Sequence, residues 1–174
     1  IHLALRAGMA PGSLLFNGNS KSAEDLTLAV RHGIRISVDS LDELHLLESV
    51  AAAEDRTTEI AFRVNPAIEV PTHPKIATGL RTSKFGIPHE QIEGAYQDAL
   101  TCEHIQPVGV HCHIGSQILD LEPFARAAGV MTTLAARLTD LGVEVQFIDL
   151  GGGLGIPYRH DTDPAPTAED YAEA

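Results

Sequence analysis

Apolar residues in this chain gather into five short runs: LLFN (14–17), IRISV (34–38), EIAFRV (59–64), PVGVHCHI (107–114) and VQFIDL (145–150). Runs of this length, rich in β-branched residues, predict strands. Between them the apolar positions recur at helical spacing. In KSAEDLTLAVRHG (21–33), Leu26, Leu28, Ala29 and Val30 form a stripe and Gly33 supplies a stop. SLDELHLLESVAAAED (40–55) opens on Ser40 with Glu43 three residues on, the spacing of a reciprocal cap. PHEQIEGAYQDAL (88–100) places Pro88 in a first helical turn, and LEPFARAAGVMTTLAARLTDLG (121–142) runs on to Gly142. Strand and helix therefore alternate with short connections, which predicts parallel strands and right-handed crossovers in an α/β fold. The opening IHLALRAG reads as a helix entered without a cap, and TAEDYAEA as a helix that has only begun. The expectation is a middle section of a longer protein. A complete (β/α)8 barrel takes about 250 residues, more than the 174 of this chain. A partial barrel leaves strand edges unpaired and tends to associate.

Composition narrows the class of function more than the fold. With 44% hydrophobic residues and near-neutral hydropathy the expectation is a globular protein. No apolar run approaches the roughly 20 residues of a membrane span, and no secretory leader pattern is read. Twelve Lys and Arg against 24 Asp and Glu give a net charge of −12, which argues against a nucleic-acid partner. A cytoplasmic setting without a membrane partner is expected. Cys102 and Cys112 are expected to be buried, inert thiols.

The unusual polar residues cluster where the predicted strands end, the place where parallel α/β proteins keep their chemistry. Asn17-Gly18-Asn19 follows the first strand, Asp39 the second, and Arg63 and Asn65 close the third. His111, His113 and Ser116 close the fourth; Asp149 and Gly151, Gly152 and Gly153 close the fifth. His111 and His113, two apart, share a strand face. They suit a metal site if further ligands such as Asp39 or Asp149 join them, or His111 is a packed, hydrogen-bonded core residue. GGGLG is not a dinucleotide fingerprint, because Ile156 and Pro157 stand where a glycine and a helix belong. Three glycines after a strand can instead turn successive N–H groups toward one anion. With the Ser116 hydroxyl they would make a phosphate cradle, and His113 could lie against a flat ring. Pyridoxal phosphate and FMN both meet that description.

The segments LLFNGNSKS, FRVNPAIE, HPKIATGLRTSKFGI, GVHCHIGSQI and FIDLGGGLGIPY follow one another in an order and spacing that resemble the diaminopimelate decarboxylase family. That family belongs to the alanine racemase-like, fold type III pyridoxal phosphate enzymes. HPKIATGL followed by SKFGI points to the diaminopimelate branch rather than to ornithine or arginine decarboxylases.

The resemblance implies a partial (β/α)8 TIM-type barrel of about five β-α units. Residues 1–174 would be part of a PLP-binding barrel domain, without the first strands, the last strands or the C-terminal β-domain. It implies decarboxylation of meso-2,6-diaminopimelate to L-lysine, the last step of lysine biosynthesis, by a homodimer acting on a small amino acid. It assigns His113 to stacking on the pyridine ring and Ser116, Gly152 and Gly153 to the cofactor phosphate. Gly151 would shape the turn, Arg63 would sit near the cofactor, and Lys84 would be structural or at an interface. The family's anchoring lysine lies in a YAVKAN-type stretch that these residues lack, so no catalytic residue is expected in the chain; GNSKS does not make Lys21 its substitute. A metal-dependent barrel hydrolase using His111 and His113, or a catalytically empty binding scaffold, remain the alternatives.

Overall fold

The fold was described from a computed structural model, which covers residues 1–68, 85–158 and 165–174. Lys75, Lys84 and most of HPKIATGLRTSKFGI lie outside the described residues. Helix α1 (His2–Arg6) has no side-chain cap, and strand β1 is only Leu15–Phe16. Helix α2 (Ala23–His32) starts with a reciprocal cap. Ser22 Oγ accepts from the Asp25 N–H at 3.2 Å, and the Asp25 carboxylate accepts from the Ser22 N–H at 3.0 Å. Gly33 ends it with φ 64°, a left-handed stop.

Strand β2 (Arg35–Val38) leads to α3 (Leu41–Ala53), where the expected cap forms only in half. Ser40 Oγ accepts from the Glu43 N–H at 3.2 Å, but the Glu43 carboxylate takes the Asp39 N–H at 3.0 Å and extends to Lys21. Strand β3 (Thr58–Asn65) pairs at its end with β4 (Ile87–Pro88), a short strand that the apolar runs did not announce. Pro88 then begins a single 3-10 turn before α4 (Ile92–Thr101). Strand β5 (Ile105–Cys112), helix α5 (Glu122–Asp140), strand β6 (Phe147–Asp149) and helix α6 (Ala168–Glu173) complete the described elements.

All the pairings are parallel, in the order β1-β2-β3-β5-β6, and with the helices they make a half-barrel. Strand alternation divides the side chains cleanly. Ile36, Val38, Ile60, Phe62, Val64, Val110 and Cys112 belong to one buried core with Leu26, Leu44, Leu47, Tyr96, Met131, Leu134 and Leu138 from the helices. The opposite face carries Arg35, Ser37, Glu59, Ala61, Arg63, Gly109 and His111, small or polar side chains that do not belong to that core.

Between β3 and β5 the register slips by one, so that Ile60 faces Pro107 but Ala61 faces Gly109. Val108 is the extra residue of this bulge, and the Tyr96 hydroxyl of α4 braces it by donating to Gly109 O at 2.5 Å. Gly109 leaves room for its neighbour on β6: a Cβ would lie 2.5 Å from the Phe147 ring, which would have to move. Cys112 is fully buried, and burial pushes its thiol up to about 12. Cys102 is only partly buried, a correction to the expectation of two buried thiols, because it lies just past α4 where the chain turns outward.

Candidate functional site

The pairing register carries the chemistry into layers at the C-terminal ends of the strands. Arg63 pairs with His111 and His111 with Asp149. Continuing past Val38↔Phe62 places Asp39 beside Arg63, and their side chains approach to 3.5 Å. Side chains paired laterally in a parallel sheet face the same way, so Asp39, Arg63, His111 and Asp149 form one row inside the half-barrel. One residue pair further on, beyond Val64↔Cys112, come Asn65 and His113.

His111 is the closed member of this set. It is fully buried, and Ser37 Oγ lies 2.8 Å from Nδ1 while Asn17 Nδ2 lies 3.3 Å from Nε2. The Gly18 N–H donates to Asn17 Oδ1 at 2.8 Å, which turns the amide nitrogen toward the ring. His111 Nε2 therefore accepts from Asn17, and Nδ1–H donates to Ser37. Burial first, then the charge of Arg63, lowers the imidazole to about 4, against the opposing pull of Asp149. Both ring nitrogens are engaged, so this side chain is the packed, hydrogen-bonded histidine of the two readings left open by its sequence.

His113 is the more exposed member. It lies one residue past the end of β5, partly exposed, where the apolar run had suggested continuing strand. Burial and the nearby Arg63 lower its pKa, with Asp149 opposing. Together with Asn17, Arg63, Phe85, Asp149, Gly151 and Gly152 it lines a cavity of about 640 Å³. Phe85 packs on the Arg63 guanidinium, 5.4 Å from ring centroid to Cζ.

Beyond the cavity the two loops that follow β5 and β6 are joined edge to edge. The Ile118 N–H donates to Gly153 O at 2.9 Å, and the Gly155 N–H donates to Ile118 O at 2.8 Å. The Gln117 side chain completes the seam from both ends, donating to Ile156 O and accepting from the Ile156 N–H. Glycine is obligatory at two points of this junction. Gly151 has φ 74°, and a Cβ there would lie 2.6 Å from Cys112 O and 2.8 Å from His113 Nδ1. Gly153 has φ 107°, and its Cβ would lie 2.0 Å from Gly115 O. Gly152 differs, because nothing lies within 4 Å of its missing Cβ. Asp149 Oδ1 accepts the Gly151 N–H at 2.7 Å, whereas no described group accepts from Gly152 or Gly153.

Of the residues singled out by sequence, Arg63, His111, His113, Asp149, Gly151 and Gly152 thus surround one cavity, with Asn17–Asn19 as part of its wall. Ser116 is exposed and does not line it; with Gly153 it belongs to the adjoining seam, where Gly153 packs against Gly115 and Ser116. Sequence reasoning missed a buried group of charges beneath the Asn17–Asn19 wall. Lys21 Nζ lies 2.7 Å from Glu43 Oε1 and 3.6 Å from Asp39 Oδ2, and also donates to Gly18 O. Burial raises the Glu43 carboxyl above its ordinary range although Lys21 pulls the other way. The one available signal was the half-used cap at Ser40, whose Glu43 has a second task.

Curated relatives share this sequence along its whole length. The diaminopimelate decarboxylase of Archaeoglobus fulgidus is 52% identical over 174 residues, covering 100% of this chain and 41% of that protein. That of Aquifex aeolicus is 40% identical over 99% of this chain and 41% of its own length. The chain spans about two fifths of the length of these relatives. Among solved structures, diaminopimelate decarboxylase from Helicobacter pylori complexed with L-lysine superposes with a TM-score of 0.93 at 36% identity, covering 99% of this chain and 43% of that one. The enzyme from M. jannaschii in co-complex with L-lysine gives a TM-score of 0.89 at 39% identity, over 99% of this chain and 40% of that one. Residues 1–174 match the family described as pyridoxal-dependent decarboxylase, pyridoxal binding domain, and the chain belongs to that family.

Proposed function

We propose that this chain is the pyridoxal phosphate-binding part of a decarboxylase that converts meso-2,6-diaminopimelate to L-lysine. The observation that carries the reading is the pair of N–H groups at Gly152 and Gly153 that no described group accepts, held beside Ser116 by the seam and next to His113. The space suits the group: the missing Cβ of Gly152 leaves an opening on the cavity, and the glycine at 153 lets two loop backbones close on each other. A phosphate dianion accepts from backbone N–H and hydroxyl groups without needing a cation. Ser116 and the N–H groups of Gly152 and Gly153 would hold it there, while Gly151 shapes the turn.

His113 would lay its ring against the pyridine, and burial and the nearby Arg63, which lower its pKa, favour the uncharged ring. Arg63 would stand at the cavity wall, steadied by Phe85. When bound, the cofactor supplies an electron sink for the pair released as CO₂ leaves. The covalent anchor would come from the remainder of the enzyme, because Lys21 is committed to Asp39 and Glu43. The names of the relatives support the choice of substrate. The reading carries with it a homodimer and a cytoplasmic setting.

The metal-hydrolase alternative is disfavoured by the commitment of both His111 nitrogens. The test is to supply the whole enzyme with pyridoxal phosphate and meso-2,6-diaminopimelate, ornithine or arginine in turn. Lysine and CO₂ should form from the first alone. Turnover of ornithine or arginine instead would move the substrate to another branch. Stoichiometric zinc, lost when His111 or His113 is replaced and accompanied by unchanged cofactor affinity in Ser116→Ala, would overturn the reading.

A further inference from the structure

Four ionisable side chains meet below the cavity floor, and none is fully in water. Lys21, Asp39, Glu43 and Arg63 have side-chain exposures of 2%, 9%, 12% and 11%. Two are cations and two are carboxylates, so the cluster is neutral as a whole. Asp39 stands at its centre. One carboxylate oxygen, Oδ1, faces Arg63 at 3.5 Å; the other, Oδ2, faces Lys21 at 3.6 Å. Its backbone N–H is held by Glu43 at 3.0 Å, and Glu43 closes the circuit to Lys21 at 2.7 Å. Asp39 itself is located by the register that sets the end of β2 beside Arg63.

We infer that Asp39 is a positioning residue for the cofactor cavity: it holds the Arg63 guanidinium against the cavity wall, with Lys21 as the counter-charge on its other oxygen and Glu43 holding its backbone N–H. The inference rests on the cofactor reading of that cavity. The geometry supports it because Arg63 alone of the four also lines the cavity. The Phe85 face, which also packs on Arg63, restrains the plane of the guanidinium but supplies no acceptor. The arrangement also explains why an ammonium is buried at Lys21. A carboxylate next to Arg63 alone would be drawn wholly to that guanidinium; a second cation on its other oxygen balances the pull.

Two roles must be separated, since a buried charge also matters to folding. Asp39→Asn leaves the cluster with one uncompensated cation, so stability should fall. Adding Lys21→Met to Asp39→Asn restores neutrality and should recover most of that stability. Arg63 still lacks its carboxylate in the paired variant, so pyridoxal phosphate, titrated into the whole enzyme by absorbance, should bind at least tenfold more weakly in both. Arg63→Gln should show the same loss, and adding Asp39→Asn to it should cost no further affinity. In the cofactor-free protein, the Arg63 Nη1–H protons, which face Asp39 Oδ1, should lose protection from solvent exchange in Asp39→Asn and in the paired variant alike. Wild-type affinity in Asp39→Asn, or affinity that returns together with stability in the paired variant, overturns the inference. Failure of the wild-type enzyme to bind pyridoxal phosphate would count against the proposed function, and the exchange measurement would still decide the position of Arg63.

Discussion

Gly153 offers a sharp separation between loop architecture and ligand binding. In Gly153→Ala the new Cβ would sit 2.0 Å from Gly115 O, where ordinary contact begins near 3.4 Å, so the two loops must part by more than an ångström. An L-residue held at φ 107° also carries a penalty of about 1–2 kcal/mol. Separation stretches the two seam hydrogen bonds, at 2.9 and 2.8 Å, each worth about 1 kcal/mol net. The combined loss is about 3 kcal/mol, expressed either as lower global stability or as an open seam. Ser116→Ala touches none of this, because its side chain is exposed, and stability should stay within about 0.5 kcal/mol.

Cofactor affinity should fall in both variants. A hydrogen bond to a charged acceptor contributes about 1.5–3 kcal/mol, so Ser116→Ala should weaken pyridoxal phosphate binding roughly ten- to a hundredfold. Gly153→Ala should lose at least as much, because the neighbouring N–H groups move with the seam. Gly152→Ala completes the set: its Cβ meets no described atom within 4 Å, so only the ligand should notice it. Urea denaturation and cofactor titration on the same three proteins check the reasoning. A Gly153→Ala protein with wild-type stability and affinity, or a Ser116→Ala protein that binds the cofactor as wild type does, would refute it.

Three further outcomes are expected. Tyr96→Phe removes the hydroxyl that donates to Gly109 O at 2.5 Å inside the core, so denaturation should show a loss of about 1–3 kcal/mol with the fold retained; an unchanged midpoint would mean the bulge does not need its brace. The imidazole of His111 is held at about 4, below its ordinary 6.5, so its neutral form favours the folded state fully above pH 6.5 and that stability drains away as pH falls from 6.5 toward 4. The acid loss should be on the order of 3 kcal/mol, and a His111→Gln protein that still folds should have a flatter stability profile in that window; identical slopes would exclude the histidine as the cause. Borohydride reduction after incubation of this chain with pyridoxal phosphate should leave Lys21 unmodified by peptide mapping, because Asp39, Glu43 and Gly18 O hold its ammonium; saturable stoichiometric label at Lys21 would contradict the cluster.

The order of strands and helices was legible because the signals for it are local. Apolar runs marked the strands, and serine, proline and glycine marked where helices start and stop, as at Gly33 and Ser40. Strand β4 escaped because it is two residues long and exists only through its pairing with Val64 and Asn65. The same limit explains Glu43. Its spacing from Ser40 signalled a cap, yet its carboxylate takes the Asp39 N–H and Lys21, and Lys21 arrives only when the loop after β1 folds back over the end of β2.

The histidines show most directly what spacing can and cannot say. Residues two apart on a strand share a face, and on that ground His111 and His113 are joint candidates for a metal, although only His113, followed by Gly115 and Ser116, is a candidate to lie against a ring. Height along the barrel axis separates them, and that is set by neighbours distant in sequence. At the lower level Ser37 and Asn17, brought in by β2 and the loop after β1, occupy both nitrogens of His111 and bury it. One step higher, β5 has ended, and Gly151 brings no side chain against the ring of His113. A side chain at either position could bind only what its layer leaves accessible. The cavity takes Arg63, His111 and Asp149 from the lower layer, but the ring nitrogens of His111 are engaged there, so the histidine left to meet a ligand is that of the upper layer, beside the N–H groups of Gly152 and Gly153 that no described group accepts.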